Sequence, residues 1–123
     1  MKKLFFILSL TTINCTYGFS QNTILKSEYV RKGVKGDTVY YHNHLFTGIA
    51  VKKAINGQII IEEHYENGLA NGLWKEWYPS GKKKFEGGFN HGKNDGLWTQ
   101  WYEDGSIQRK MLFKSDGSVI TIQ

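Results

Sequence analysis

Tyr65-Glu66-Asn67-Gly68-Leu69-Ala70-Asn71-Gly72-Leu73-Trp74-Lys75-Glu76-Trp77-Tyr78-Pro79-Ser80-Gly81 is answered further along the chain by Phe89-Asn90-His91-Gly92-Lys93-Asn94-Asp95-Gly96-Leu97-Trp98-Thr99-Gln100-Trp101-Tyr102-Glu103-Asp104-Gly105. The step from position 65 to position 89 also links Tyr41 to Tyr65 and Phe89 to Phe113. It links Gly48, Gly72 and Gly96, and then Gly57, Gly81 and Gly105. A fixed period of this length marks a stacked array, in which each unit is stable only against its neighbours.

Within one unit, Asn67-Gly68 and Asn71-Gly72 mark a loop, Leu73 to Tyr78 reads as an aromatic-rich strand, and Pro79-Ser80-Gly81-Lys82 reads as a turn. Proline presets one turn dihedral and glycine accepts the positive φ that follows. Lys83 to Phe89 returns as a second strand. Each unit is therefore a β-hairpin. The expected fold is all-β: an elongated, single-layer antiparallel β-meander of repeated hairpins, with about seven or eight strands. The expected organisation is a secretory signal peptide over 1–20, an entry segment over 21–40, repeats over 41–64, 65–88 and 89–112, and a C-terminal capping strand over 113–123. The tail Val119-Ile120-Thr121-Ile122 is expected to pair with the last hairpin.

Strand side chains alternate between faces. A two-residue Ser80-Gly81 turn would set Tyr78 opposite Lys83 and Trp74 opposite Gly87. Trp74, Tyr78, Phe85 and Phe89 then share a face with Trp98, Tyr102, Ile107 and Met111. Gly87 leaves room for the Trp74 indole. The other face carries Leu73, Trp77, Leu97, Trp101 and Leu112, interspersed with Lys75, Lys84, Glu86 and Lys110. The residues assigned to holding the repeats together are Tyr65, Gly72, Trp74, Tyr78, Gly81, Phe89, Gly96, Trp98, Tyr102 and Gly105.

The pattern Tyr-x-Asn-Gly-x-x-x-Gly-x-Trp-x-x-x-Tyr-x-x-Gly at 65–81 and, closely, at 89–105 resembles the MORN-repeat variant, over residues 40–117. Leu45-Phe46-Thr47-Gly48 resembles the opening of arrays in YwqK-type proteins, the antitoxin components of toxin–antitoxin modules. The resemblance implies a toxin-neutralising role. The first unit departs from the pattern, because Ala50 and Ala54 stand where Trp and Tyr recur.

The basic start Met1-Lys2-Lys3, the apolar run Leu4 to Ile13 and the small residues Gly18 and Ser20 before Gln21 predict export, to a periplasmic, envelope-associated or extracellular destination. Sixteen Lys and Arg against 11 Asp and Glu give a net charge of +5. Loss of Lys2 and Lys3 lowers it to +3, and only Arg31 and Arg109 are arginines. That is not the footprint of a nucleic-acid reader, and no nucleic-acid partner is expected. Cys15, the only cysteine, falls in the expected leader, so a chain cleaved after Ser20 would have no disulfide or thiol chemistry.

The four histidines, His42, His44, His64 and His91, lack the fixed three- or four-ligand set of a zinc site; His42 and His44 read as neighbours on one strand. The serines sit in turn-like segments without a nucleophile elbow, and the adjacent carboxylates Glu62-Glu63 and Glu103-Asp104 do not converge. No enzyme activity, metal or cofactor is expected. The binding candidates are Trp77, Trp101, Lys75, Lys84 and Lys110, with Lys84 expected to cover the Trp77 ring. The leading expectation is an exported, non-enzymatic module that binds another protein. The alternative is a membrane-surface or envelope-glycan binder, using lysines on anionic lipid and tryptophans on sugar.

Overall fold

The computed structural model describes residues 24–26, 31–32 and 38–123; the expected signal peptide and most of the entry segment lie outside the described residues. The fold is all-β. Its strands are β1 (Ile24–Lys26), β2 (Arg31–Lys32), β3 (Val39–Tyr41), β4 (His44–Leu45), β5 (Gly48–Lys53), β6 (Ile59–Glu66), β7 (Leu69–Ala70), β8 (Gly72–Trp77), β9 (Lys83–Asn90), β10 (Lys93–Trp101), β11 (Ile107–Phe113) and β12 (Val119–Thr121). Nine of them form one open sheet in the order β1-β5-β6-β8-β9-β10-β11-β12, with β7 pairing β6, and β2-β3-β4 form a second, three-stranded sheet. The pairings are antiparallel except for β1, which lies parallel to β5. The meander thus gains a parallel edge and a small second sheet that the periodicity did not announce. The 119–122 tail supplies β12, with Leu112 opposite Ile120.

Two kinds of turn alternate. Asn67-Gly68 and His91-Gly92 are tight turns in which both residues take positive φ, the geometry that matches the strand twist in two-residue hairpins. At the other end of the hairpins, Gly57 N donates to Ala54 O, Gly81 N to Tyr78 O and Gly105 N to Tyr102 O, each at 2.8–2.9 Å. Gly117 N to Lys114 O repeats the arrangement at 3.0 Å. These are three-residue loops closed by a glycine with φ of 84–92°, a conformation that costs a side-chain-bearing residue energy.

The three-residue loop corrects the expected register near the turn. Trp77, not Tyr78, faces Lys83, and a bulge at Lys84 restores Glu76 opposite Phe85 and Trp74 opposite Gly87. The glycine in the turn adds one residue and the bulge absorbs it. Gly87 is also not the seat of the Trp74 ring. A Cβ there would come within 2.6 Å of Phe85 Cζ and 2.9 Å of Trp98 Cδ2, so the indole that needs the gap belongs to the next repeat.

The rings form a continuous spine: Tyr41, Phe46, Tyr65, Trp74, Phe89, Trp98 and Phe113, with successive centroids 6.4, 5.9, 5.5, 4.4, 5.0 and 4.9 Å apart. Tilted ring pairs in this range add about 0.5–1.5 kcal/mol each beyond area burial. Phe46 supplies the ring that Ala50 lacks. It is fully buried with Val39, Ala50 and Tyr65 in a compact core at the β3–β6 end. Burial of Tyr65, then the Glu63 carboxylate accepting from its hydroxyl at 3.0 Å, holds that hydroxyl protonated well above its ordinary range.

Gly87→Ala is expected to destabilise the protein by about 1–3 kcal/mol, because the added methyl meets two packed rings. A urea unfolding midpoint unchanged from wild type would show that the rings can yield.

Candidate binding face

Alternation from Trp74 puts Leu73, Lys75 and Trp77 on the face away from the spine. The register then arranges that face in three ranks across the strands. The first is apolar: Leu73 opposite Gly88, and Leu97 opposite Leu112, itself opposite Ile120. Leu73 is 39 % exposed and Leu97 46 %. Both stand a full repeat apart without cover, whereas Tyr65 on the spine side is buried.

The second rank is ionic. Glu62, Lys75, Glu86, Thr99 and Lys110 face one another in turn across β6, β8, β9, β10 and β11. Glu62 Oε1 accepts from His64 Nε2 at 3.0 Å and from Lys75 Nζ at 3.2 Å. The His64 hydrogen bond, opposed by partial burial and aided by Lys75, holds the Glu62 carboxyl below its ordinary value of 4.5. His64 is two residues from Glu62, so strand alternation alone brings the pair to one side.

The third rank is aromatic. Trp77 and Trp101 are half-buried, not exposed. Lys83 Nζ stands 5.6 Å from the centroid of the Trp101 ring and 2.6 Å from Glu86 Oε2. The expected Lys84–Trp77 contact is therefore replaced by Lys83 over Trp101. Lys84, displaced by the bulge, pairs instead with Glu76 Oε2 at 3.1 Å, on the spine side. The shift follows from the turn glycine, which advances the lysine run by one residue. A turn ending in glycine was the signal in the sequence that could have located it.

Of the candidate residues, Trp77, Trp101, Lys75 and Lys110 share this face by register, and Lys84 does not. Leu73, Leu97, Lys83 and Glu62 belong with them. The repeat residues sit elsewhere. Trp74 Nε1 donates to His64 O at 3.0 Å and Trp98 Nε1 to Gly88 O at 2.8 Å, the same bond one period apart. Tyr78 Oη donates to Trp101 O at 2.8 Å. Tyr102 is largely exposed.

His42 lies in a tight turn with positive φ and His44 begins the next strand, so the two are not strand neighbours. Among the described residues no group of three or more His, Cys, Asp or Glu is placed to hold a metal ion. Among them, too, no helix is long and apolar enough to cross a membrane.

The MORN repeat variant matches residues 70–91 and 94–115, two stretches that together make up a little over a third of the chain. The second match begins one period after the first, in step with the indole hydrogen bonds described above. Repeats of this kind are in general protein- or membrane-binding modules without enzymatic activity. Searches of curated proteins and of solved structures returned no match.

Glu62 gives a pH test. Its folded-state pKa is depressed, so its contribution is present above the unfolded value and is lost as pH falls through the folded one. Wild type is expected to lose stability as pH drops below about 4.5, and Glu62→Gln to lose less over the same window. Urea midpoints for the two proteins at each pH make the comparison; parallel curves would remove Glu62 from the account.

Proposed function

We propose that the chain is an exported, non-enzymatic module that binds another protein through the Leu73–Leu97 and Trp77–Trp101 ranks. The observation that carries this reading is the pair of uncovered leucines one repeat apart, on a face whose aromatic rank is only half-buried. Equivalent residues in adjacent repeats lie two strands apart, about 9.6 Å at ordinary strand spacing. A partner presenting apolar groups at that interval meets the same rung twice.

The ion pairing favours a protein over an anionic membrane. Lys75 is matched by Glu62, Lys83 by Glu86 and Lys84 by Glu76. Lysines already neutralised within the sheet add little attraction for phosphate headgroups, which draw on unpaired positive charge. The YwqK resemblance adds a toxin-like protein as one class of partner.

Leu73→Ser/Leu97→Ser tests the reading. Both side chains are exposed, so the double variant is expected to fold with a near-wild-type urea midpoint. Cross-linking in the native host, with mass spectrometry of what is captured, should show a protein that wild type retains and the variant loses. The complex should survive at about 1 M salt, where the screening length is about 3 Å. Equal capture by the variant, or dissociation by salt alone, would overturn the assignment.

A further inference from the structure

We infer that Asn56 is a site of spontaneous modification: deamidation through a succinimide, at the tip of the β5–β6 hairpin. Three Asn-Gly pairs occur, at Asn56, Asn67 and Asn71. The chemistry is the same at each. The backbone nitrogen of the glycine attacks the asparagine Cγ, the Cγ–Nδ2 bond breaks, and the glycine amide proton leaves with Nδ2 as ammonia. One water then opens the ring at either carbonyl, leaving an aspartyl or an isoaspartyl residue. The glycine, having no side chain, does not obstruct the attack. What differs is how much structure must open to let the nitrogen reach Cγ.

Asn67 and Asn71 are held from several directions. Gly68, the nucleophile beside Asn67, is buried and donates to Phe46 O at 2.8 Å, while its carbonyl accepts from Val39 N at 2.7 Å. Asn67 N itself donates to Thr47 Oγ1. Turning this peptide would disturb the joint between the two sheets beside the buried core. Asn71 has both ends of its amide engaged. Its Nδ2 donates to Glu66 Oε2 at 2.7 Å and its Oδ1 accepts from His91 N at 3.1 Å, while its backbone N donates to His64 O. Its reaction needs two neighbouring repeats to part.

Asn56 needs only its own loop to open. Residues 55–58 are exposed, and a Cβ at Gly57 would meet nothing within 4 Å. The restraints are local: Gly57 N to Ala54 O, Ala54 N to Gln58 O, and Gln58 N to Asn56 Oδ1 at 3.0 Å. Openings confined to an exposed hairpin tip cost least among native-state fluctuations.

The sister turns say what the product does. Asp104 and Asp116 occupy the position of Asn56 in loops closed by the same glycine bond, and their Oδ1 atoms accept from Ser106 N and Ser118 N at 2.8 Å. An aspartyl residue at position 56 therefore fits the turn as it stands. The isoaspartyl product adds a methylene to the main chain and has no counterpart in the sister turns. Either product adds one negative charge.

The test is simple because cleavage after Lys53 and Lys75 puts all three asparagines in one tryptic peptide. The full chain is aged in mildly alkaline buffer, folded or in urea, and conversion at each position is read by tandem mass spectrometry. In the folded protein Asn56 should convert at least about tenfold faster than Asn67 or Asn71, and in urea the three rates should agree within about twofold. Comparable rates in the folded chain would overturn the assignment, as would an Asn56 that converts only in urea. Asn56→Ser, which copies Ser80, should remove conversion at position 56 and leave the other two rates unchanged. Asn56→Asp should keep the wild-type urea midpoint; a lowered midpoint would refute the tolerance inferred from the sister turns.

Discussion

An indole ring set between two hairpins brings an N–H that needs an acceptor, since a buried donor left unpaired costs about 1–3 kcal/mol. Here the carbonyl ten residues back answers it: His64 O for Trp74 and Gly88 O for Trp98. That bond fixes the ring's tilt, and the tilt sets where the next ring lies. The aromatic period in the chain is thus a period of satisfied donors as much as of buried area. Gly68 N to Phe46 O and Gly92 N to Ala70 O repeat the same logic in the main chain, tying each tight turn to the loop of the preceding unit. Among the described strands of the repeats, pairing runs only within a unit or to its neighbour, as in other repeat arrays.

The division of labour between faces follows. One face is committed to cohesion, with rings from β6, β8, β9, β10 and β11 in contact. The opposite face buries Val51, opposite Glu62, but leaves Leu73 and Leu97 exposed, and its ion pairs are partly solvated. Exposed pairs of this kind are worth at most about 1 kcal/mol each. The uncovered leucines of that face therefore have no evident part in holding the sheet together, which is why they serve as the candidate contact surface.

Much of this was legible in the chain. The step from Tyr65 to Phe89 revealed the hairpin repeat, and alternation assigned the faces of Trp74 and Trp77 correctly, because neither depends on turn length. The pairing near the turns was misplaced for a definite reason. Gly81 closes a three-residue loop, and the residue it adds is absorbed by the bulge at Lys84. The error placed Lys84 on the Trp77 face and hid the Lys83–Trp101 contact. The Phe46 ring was missed because it lies away from the periodic position held by Ala50 and fills the space from outside the strand, a fact of tertiary packing that periodicity does not encode. The β1 pairing was missed because the short stretch Ile24–Lys26 carries no sign of parallel or antiparallel direction.

The hydrogen bonds that join one unit to the next recur at the same atoms after one full period, and this constrains how such a protein can change size. Insertion or loss of a whole period would keep these main-chain acceptors in phase with the donors they serve. A change of length that no turn or bulge absorbs, as the bulge at Lys84 absorbs one residue, would send later rings to the wrong side of the sheet or strand an indole without its acceptor. Length in this architecture therefore changes with least disruption in whole modules.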